Sequence, residues 1–375
     1  MFSANEQFLL STDESLMTPE TARISYLSSY AFNEKTHPFS LGVTVGFINS
    51  TAKNSRFYEM INIQRNSEPD VAEQSKVISK LFPDDIDLPA ASTENNVVLF
   101  GTQDNNEVWG YRYFNQAQKR VQSAWFKWIL PGTVTFHTIM DDVYYAIIKN
   151  SSNYTLESID LKKEDDTTLV DTEAYKIHLD TKSVIASGSL SYATSTNKTK
   201  FTKPTGYNSS SQLAVYCHKT GSNKGRYAEG TIDGSDITFE GDWTGQDIVL
   251  GYLYEMEVEL PTVYVQQKEG SSVRSETRGS LIVHRLNFTF GTVGLIDVTL
   301  KRKGRSDYTK TYESIEWDSY SASSLGIAED YIHTIPAYDK NTNLSVHLKS
   351  SHPAPATLHS MTWEGDYNSK YYKRV

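Results

Sequence analysis

Apolar and polar residues alternate along most of the chain, in short runs that end at Gly, Asn, Asp or Pro. Alternation with a period of two is typical of half-buried β-strands. The same alternation returns after residue 95, with aromatic residues at the centres of the runs. The pattern predicts strands at 6–11, 23–32, 40–49, 55–63, 95–102, 107–114, 123–130, 133–140, 143–149 and 154–161.

One segment of this region has a helical pattern instead. Ser67 can cap a helix, Pro69 fits a first turn, and Asp70 completes a capping box. Apolar positions then follow at helical spacing up to Pro83. These positions are Val71, Val77, Ile78 and Leu81. We therefore expect one short amphipathic helix.

Tight turns connect the later strands of this region. Asp141 and Asp142 leave room only for a two-residue hairpin loop, and 150–153 forms the next turn. Short antiparallel strands at regular spacing favour β-propeller blades over a sandwich. No WD dipeptide or fixed-period repeat marks the blades.

The charged segment 161–174 predicts a domain boundary. The Ser/Thr/Gly/Lys-rich stretch that follows predicts a loop-rich β domain with strands at 212–219, 236–243 and 246–261. A polar loop is expected at 266–279. Strong alternation then predicts a β-sandwich-like domain with strands at 280–290, 294–302, 308–317, 343–350 and 357–367. The predicted domains of this all-β chain are 1–165, 166–265 and 266–375.

Composition adds limits to this picture. Of the 375 residues, 38% are hydrophobic, and the one cysteine, Cys217, excludes an intrachain disulfide. The N-terminus lacks a basic stretch followed by an apolar one, and no long apolar window occurs, so we expect neither a signal peptide nor a membrane span. Without a signal peptide, the Asn-x-Ser/Thr triplets are expected to be chance products of composition. These triplets begin at Asn49, Asn150, Asn153, Asn197, Asn208, Asn287 and Asn343.

The formal net charge of −10 is the opposite of the basic surface with which proteins hold nucleic acid. An acidic surface can still line a path along which DNA passes without adhering. The densest basic run is 301–305, which is expected to be a solvated hairpin turn, with a subunit or fibre contact as the alternative.

No grouping of residues indicates catalysis. Asp84, Asp85 and Asp87 lack the spacing of a calcium loop and are expected in a solvated turn. The histidines occur singly, without the spacing of a zinc site. The segment 187–191 only approximates a nucleophile elbow and is expected to be a turn. The sequence therefore assigns no catalytic residue, no metal site and no cofactor.

Trp125 and Trp128 are candidates for stacking on sugars or bases. On a strand, residues three positions apart lie on opposite faces. We therefore expect one tryptophan to enter the core and the other to cover a neighbouring blade or subunit.

Four stretches together resemble one known family. They are QSAWFKWILPGTVTFHTIMDDVYYAIIKNSSNYTLESIDL (122–161), DIVLGYLYEMEVELP (247–261), TRGSLIVHRLNFTFGTVGLIDVTLKRKGR (277–305) and PAPATLHSMTWEGDYNSKYYKRV (353–375). In order and separation they are similar to the C-terminal half of the tail nozzle proteins of short-tailed phages, also called tail tubular protein B.

The resemblance implies a non-enzymatic virion protein of the phage tail, assembled in the host cytoplasm. It implies a homohexameric ring that forms the distal DNA channel, binds the tail adaptor and the tail fibres, and lets DNA pass without sequence-specific binding. Because family members are about twice as long, a separate N-terminal half is a further candidate partner. Candidate packing or subunit contacts are Trp125, Trp128, Arg285, Arg302 and Trp363.

A second hypothesis is a carbohydrate-active or host-receptor-binding tail protein, because aromatic β surfaces also bind glycans. Repeated Ser-x-Asp-x-Gly-x-Thr-Trp boxes and converging carboxylates would favour it, and the sequence contains neither pattern.

Overall fold

A computed structural model of the chain describes residues 1–12, 16–50, 54–62, 69–116, 119–161, 177–207, 212–217, 226–269, 272–313 and 331–369. The chain divides into two compact units, Met1–Lys163 (unit 1) and Glu164–Val375 (unit 2). Its regular structure is almost entirely β, so the predicted all-β class is confirmed. The division into three domains at 165 and 265 stays a prediction.

Unit 1 consists of antiparallel strands that pair in chain order. A hairpin comes first, followed by two sheets. The hairpin is β1 (Gln7–Thr12) and β2 (Ala22–Ser28). The first sheet is β3 (Phe39–Ser40), β4 (Thr44–Ser50), β5 (Ser55–Asn62) and β6 (Pro69–Glu73). The second is β7 (Leu88–Ser92), β8 (Val97–Gly101), β9 (Asn105–Gln116), β10 (Lys119–Met140), β11 (Val143–Asn150) and β12 (Asn153–Asp160).

The long strand β10 changes partner halfway along. It pairs continuously with β9 as far as Ile129 and once more at Val134, and it pairs with β11 from Thr133 onward. The register breaks at Pro131 and Gly132, where proline has no N–H to donate to a ladder. The predicted strands 123–130 and 133–140 are therefore one bent strand, and the bend turns one sheet into two layers. The hairpin loop at Asp141 and Asp142 is confirmed.

Unit 1 is therefore a stack of three layers. The first layer is β3–β6, the second is β7–β9 with the early part of β10, and the third is the late part of β10 with β11 and β12. Alternate residues of β8 point to opposite sides: Val98 and Phe100 pack on the first layer, and Val97 and Leu99 pack on the third. Sheets that bury both faces against their neighbours are typical of propeller blades.

The predicted helix at 67–81 is wrong. Pro69–Glu73 is the edge strand β6, and Ser75–Ile78 is a single 3₁₀ turn. An edge strand tolerates proline as its first residue. Val77 and Leu81 are 83% and 67% exposed, so the apolar spacing did not mark a buried helix face. Pairing with β5 supplies the backbone hydrogen bonds that a short helix would have made. Ser67 lies outside the described residues.

Unit 2 contains one large sheet with strand order β13-β19-β16-β17-β18-β15-β14. The predicted strand 246–261 is wrong, because it splits into two strands that belong to different sheets. The strands of the large sheet are β13 (Asp180–Ile185), β14 (Ser191–Ala193), β15 (Lys198–Thr202), β16 (Leu213–Cys217), β17 (Tyr227–Asp233), β18 (Asp236–Glu240) and β19 (Ile248–Tyr252).

The C-terminal part of unit 2 is a sandwich of two sheets, as the sequence predicts. One sheet is β20 (Met256–Leu260), β27 (Leu344–Ser350), β24 (Leu295–Arg302) and β25 (Tyr308–Glu313), in that order; the other is β26 (Tyr331–Lys340), β23 (Ser280–Val293) and β28 (Ala356–Asn368). Residues from both sheets, including Phe288, Val298 and Leu348, share one core.

Two further predictions concern this part. The polar loop expected at 266–279 contains a small hairpin, β21 (Gln266–Glu269) and β22 (Ser272–Ser275). The two strands of this hairpin pair through their backbones although their residues are mostly polar. The alternation of apolar and polar residues therefore did not reveal the hairpin. The end of the predicted strand 308–317 lies outside the described residues.

Candidate functional site

A buried ion pair joins the first two layers of unit 1. Glu59 on β5 is fully buried, and its Oε1 accepts hydrogen bonds from Arg120 Nη2 on β10 and from Thr44 Oγ1 on β4, both at 2.5 Å. Arg120 also donates from Nη1 to the Tyr111 hydroxyl at 2.6 Å, and its guanidinium lies 4.6 Å from the Tyr113 ring centroid. The carboxylate is thus neutralised by a cation that is itself held by two aromatic rings.

The aromatic residues beside this pair are poorly hydrated. Burial raises the pKa of Tyr113 to about 12, and it also raises the pKa of Tyr111, although Arg120 opposes both shifts. Within the described part of the chain, Glu59 Oε2 and the Tyr113 hydroxyl have no hydrogen-bond partner. The cluster holds layers together and shows no exposed reactive group.

Trp125 extends this interface. It packs among Phe57, Phe82, Phe100 and Tyr111, and its Nε1 donates to the Gln74 carbonyl at 3.2 Å. Its ring therefore belongs to the interface between the first and second layers.

Trp128 faces the other way, into the interface between the second and third layers. Its ring centroid lies 5.3 Å from that of Phe126 and 5.5 Å from that of Tyr144. The two tryptophans thus occupy opposite faces of one sheet, as the spacing predicts, and within unit 1 both seal layers together.

A row of apolar side chains crosses the side of the third layer that faces away from the second. Phe136 pairs with Ile147, and Ile147 pairs with Leu156, so the three form a line across β10, β11 and β12. Their exposed fractions are 51%, 37% and 71%. Met140 and Tyr154 flank the row and are also more than half exposed. These five residues are called the outer sheet face.

A second apolar face lies on the N-terminal hairpin. Leu10 pairs with Ile24 and Phe8 pairs with Tyr26, which puts all four side chains on one side of the β1–β2 ribbon. Ile24 is 64% exposed and Tyr26 is 55% exposed. These four residues are called the hairpin face. Neither face was apparent from the sequence, because alternation shows which side of a strand is apolar but not whether that side is covered.

The remaining candidate contacts lie in unit 2. Arg285 on β23 pairs with Glu364 on β28, with 3.2 Å between Nε and Oε2, and both side chains are about half exposed. Trp363 is partly buried against the sandwich core. Arg302 ends β24, and Nε of this residue is buried. Lys301 also belongs to β24, and the turn between β24 and β25 begins at Lys303, so only the second part of the basic run 301–305 lies in the predicted hairpin turn.

The acidic segment 84–87 lies in a loop before β7, as predicted. Asp85 pairs with Lys35 at 3.1 Å, and Asp87 Oδ1 accepts a hydrogen bond from the Gln103 backbone N–H at 2.8 Å. Among the described residues, no three His, Cys, Asp or Glu side chains come together as metal ligands.

In the same residues no helix has the length and apolar character needed to cross a membrane.

His137 is a buried residue that sequence reasoning missed. It is 3% exposed, with Nε2 lying 2.6 Å from the Leu88 carbonyl oxygen and Nδ1 lying 3.0 Å from the Tyr144 hydroxyl. Burial lowers the pKa of His137, although the Leu88 carbonyl and Asp87 oppose the shift. The neutral imidazole ties β7 to the third layer.

Comparison with known families decides what kind of protein this architecture belongs to. The family model described as bacteriophage nozzle protein matches residues 1–374. The chain belongs to the bacteriophage nozzle protein family. It is accordingly a structural protein of the phage tail.

Other comparisons add little to the family assignment. No curated protein matches this nozzle-family chain. Solved structures of an exo-β-1,3-galactanase from Phanerochaete chrysosporium, with galactose or with β-1,3-galactotriose, align at 9% and 10% identity. The alignments cover 94% and 96% of this chain and 98% and 100% of those chains, but the TM-scores are 0.21 and 0.22. Values this low carry no argument about the fold or the chemistry.

Proposed function

We propose that this nozzle-family chain forms a homo-oligomeric ring around the distal DNA-ejection channel of the tail and provides an attachment site for tail fibres. The observation that carries the proposal is the family match over residues 1–374. The sequence resemblance to the tail nozzle proteins of short-tailed phages implies that the ring is a hexamer and that it docks on the tail adaptor. A separate N-terminal half is a further candidate partner.

The packing of unit 1 supports a wall-forming role. Its three layers bury aromatic residues on both sides of the middle sheet, and the pairs Arg120–Glu59 and His137–Leu88 join neighbouring layers. Such packing gives a rigid body that can withstand the passage of DNA. The exposed apolar faces at the outer sheet and the hairpin mark surfaces for contact with other chains.

The charge of the chain supports passage without adhesion. Each copy carries a formal net charge of −10, so a ring of copies repels the DNA phosphates. At physiological salt the repulsion extends only about 8 Å from the wall, which centres the duplex without opposing its movement over longer distances.

We further propose that the chain has no catalytic activity of its own. In the described residues the buried polar groups of unit 1 serve packing: Glu59, Arg120 and His137 all bridge layers. The alternative of a carbohydrate-active or receptor-binding protein gains no support from the galactanase structures, given their low similarity. Of the candidate contacts, we propose Trp125 and Trp128 as packing residues, and Arg285 as a contact residue because it is half exposed.

Immunoelectron microscopy of intact virions tests the proposal, with an antibody raised against the full chain. We expect label at the distal end of the tail. Label on the capsid or along the fibres alone would contradict the nozzle role. Glycan-array binding together with hydrolysis of a bound glycan would instead favour the carbohydrate hypothesis.

A further inference from the structure

The outer sheet face has the character of a surface that another β layer covers. Within unit 1, each internal sheet face carries a row of apolar residues, and each of these rows packs against the next layer. The row Phe136–Ile147–Leu156 repeats this arrangement on the third layer, yet Leu156 is 71% exposed. Exposed apolar patches of this kind mark interaction sites.

The hairpin face lies at the opposite end of the stack. Gln7 of β1 is buried, and Nε2 of this residue donates to the Tyr30 carbonyl at 2.8 Å. The Tyr30 ring lies 4.2 Å from the ring of Tyr58 on β5. Because Phe57 faces the second layer, its neighbour Tyr58 faces away from it. The hairpin is therefore attached on the first-layer side, whereas the outer sheet face belongs to the third layer.

Two different apolar faces at opposite ends of one unit are what a head-to-tail assembly needs. A two-fold interface uses one patch that contacts its own copy, whereas a ring uses two distinct patches, one on each side of every subunit. Unit 1 has two such patches, and their shapes differ. One is a ribbon of two strands, and the other is a sheet face three strands wide.

The areas are consistent with this arrangement. Aromatic side chains such as those of Phe136, Tyr154 and Tyr26 each bury on the order of 150–250 Å² when they are fully covered. Together with the aliphatic residues beside them, each face therefore leaves several hundred Å² in water. The flanks of the hairpin include Leu16 and Met17, which are 69% and 48% exposed. Joining the two faces removes about 1,000 Å² from water, which is the size at which specific interfaces begin. In a closed ring every copy makes this contact twice.

We propose that the outer sheet face of one copy packs against the hairpin face of the next copy of the same chain. The inference rests on the proposed ring and identifies the surfaces that close it. Burial of the row Phe136–Ile147–Leu156 against Leu10, Ile24 and Tyr26 continues the layered packing of unit 1 from one copy into the next.

Complementary variants of the full chain test the pairing. Leu156→Lys damages the outer sheet face and leaves the hairpin face intact, whereas Ile24→Lys does the reverse. Ile332→Lys is the matched control, because Ile332 is 68% exposed on β26, outside both faces. Sedimentation velocity measures the size of each variant alone and of an equimolar mixture of the first two, and circular dichroism confirms that each variant is folded.

We expect the control to assemble as the wild type does, and each face variant alone to remain a monomer. The mixture should give a 1:1 dimer that grows no further, because it retains one intact junction. If a Lys variant unfolds, Leu156→Ser or Ile24→Ser replaces it. We expect the Ser variant to weaken the association between copies at least tenfold.

Two outcomes would overturn the inference while leaving the ring in place. They are normal assembly of both face variants, and normal assembly of Ile24→Lys alone, which indicates that the outer sheet face contacts a surface other than the hairpin face. A wild-type chain that stays monomeric at all concentrations would instead overturn the proposed ring itself.

Discussion

At the residue scale, a buried ion pair between two sheets helps to hold the layers of unit 1 together. Glu59 is fully buried among the first two layers, and Arg120 supplies the only cation that contacts it in the described part of the chain. A buried pair adds little net stability compared with an apolar pair, but removal of one partner leaves the other charge unpaired in a poorly hydrated site.

Arg120→Ala should therefore lower the free energy of unfolding by roughly 3 kcal/mol or more. Denaturant unfolding followed by tryptophan fluorescence measures the change. The matched control is Lys35→Ala, because the Lys35–Asp85 pair is 3.1 Å long with both side chains 60% exposed. The control should cost less than about 1 kcal/mol. Equal effects of the two substitutions would contradict the role of Arg120 as a buried tie between layers.

His137 should make the stability of unit 1 depend on pH. Because burial lowers its pKa, the unfolded chain takes up a proton at a higher pH than the folded chain does. Its contribution is complete above the ordinary histidine pKa of about 6.5, and it is lost as the pH falls below that value. Thermal unfolding between pH 7 and pH 5 should therefore show a smaller loss for His137→Gln than for the wild type. Parallel pH profiles would rule this effect out.

The sequence predicted part of this residue-level picture. The spacing of Trp125 and Trp128 was enough to place them on opposite faces, because strand geometry is local. The partners of Glu59 and His137 could not be predicted, since the contacts Glu59–Arg120 and His137–Leu88 join strands far apart in sequence. The acidic Glu59, two positions after Phe57 and therefore on the same face of the strand, was the only signal of a buried pair in the sequence.

At the element scale, the backbones of two paired strands come so close at one position that only glycine fits there. Gly365 follows Trp363 and Glu364 on β28 and pairs with Val283, next to a bulge in β23. A Cβ at this position would lie 2.2 Å from the Ile282 carbonyl oxygen, which is a backbone atom and cannot turn aside. This glycine therefore lets β23 and β28 pair at the bulge.

Gly365→Ala should destabilise unit 2 by roughly 1–3 kcal/mol, because the strands must separate locally. Gly188→Ala is the control, since a Cβ there meets no atom within 4 Å. The control should change stability by less than about 0.5 kcal/mol. Thermal unfolding of the full-length variants measures both effects, and an unchanged Gly365→Ala protein would show that the sandwich adapts at the bulge.

Alternation predicted many of the strands, including β23, β24, β25, β27 and β28 of the closing sandwich. It did not reveal β7, β13, β14, β15, β17, β21, β22 and β26, several of which are short or rich in polar residues. Three further segments were assigned wrongly, and each depends on pairing between strands. β6 is a strand because β5 offers it an edge, although its apolar residues have helical spacing. β10 is one strand because it bends at Pro131 and Gly132 while changing partners. The segment 246–261 divides because β19 and β20 pair with different sheets.

At the scale of the whole molecule, the acidic charge and the layered packing support one role. A chain with a net charge of −10 should not retain duplex DNA even at about 50 mM salt, where non-specific binding by basic proteins is strong. Fluorescence anisotropy of a labelled DNA duplex measures the affinity of the chain for DNA. A Lys-rich histone-like protein, which binds DNA, serves as the positive control. Micromolar binding that weakens steeply with salt would contradict a channel wall that DNA passes without adhering.

The proposed function requires the sheets of unit 1 to be layers of a repeated, non-catalytic wall. Cryo-electron microscopy of the assembled full-length chain tests it most directly. We expect a closed ring with an opening wide enough for duplex DNA, in which Phe136, Ile147 and Leu156 are covered by the next copy. A lone chain with these side chains in solvent and a bound sugar or ion held by its aromatic and acidic residues would contradict it.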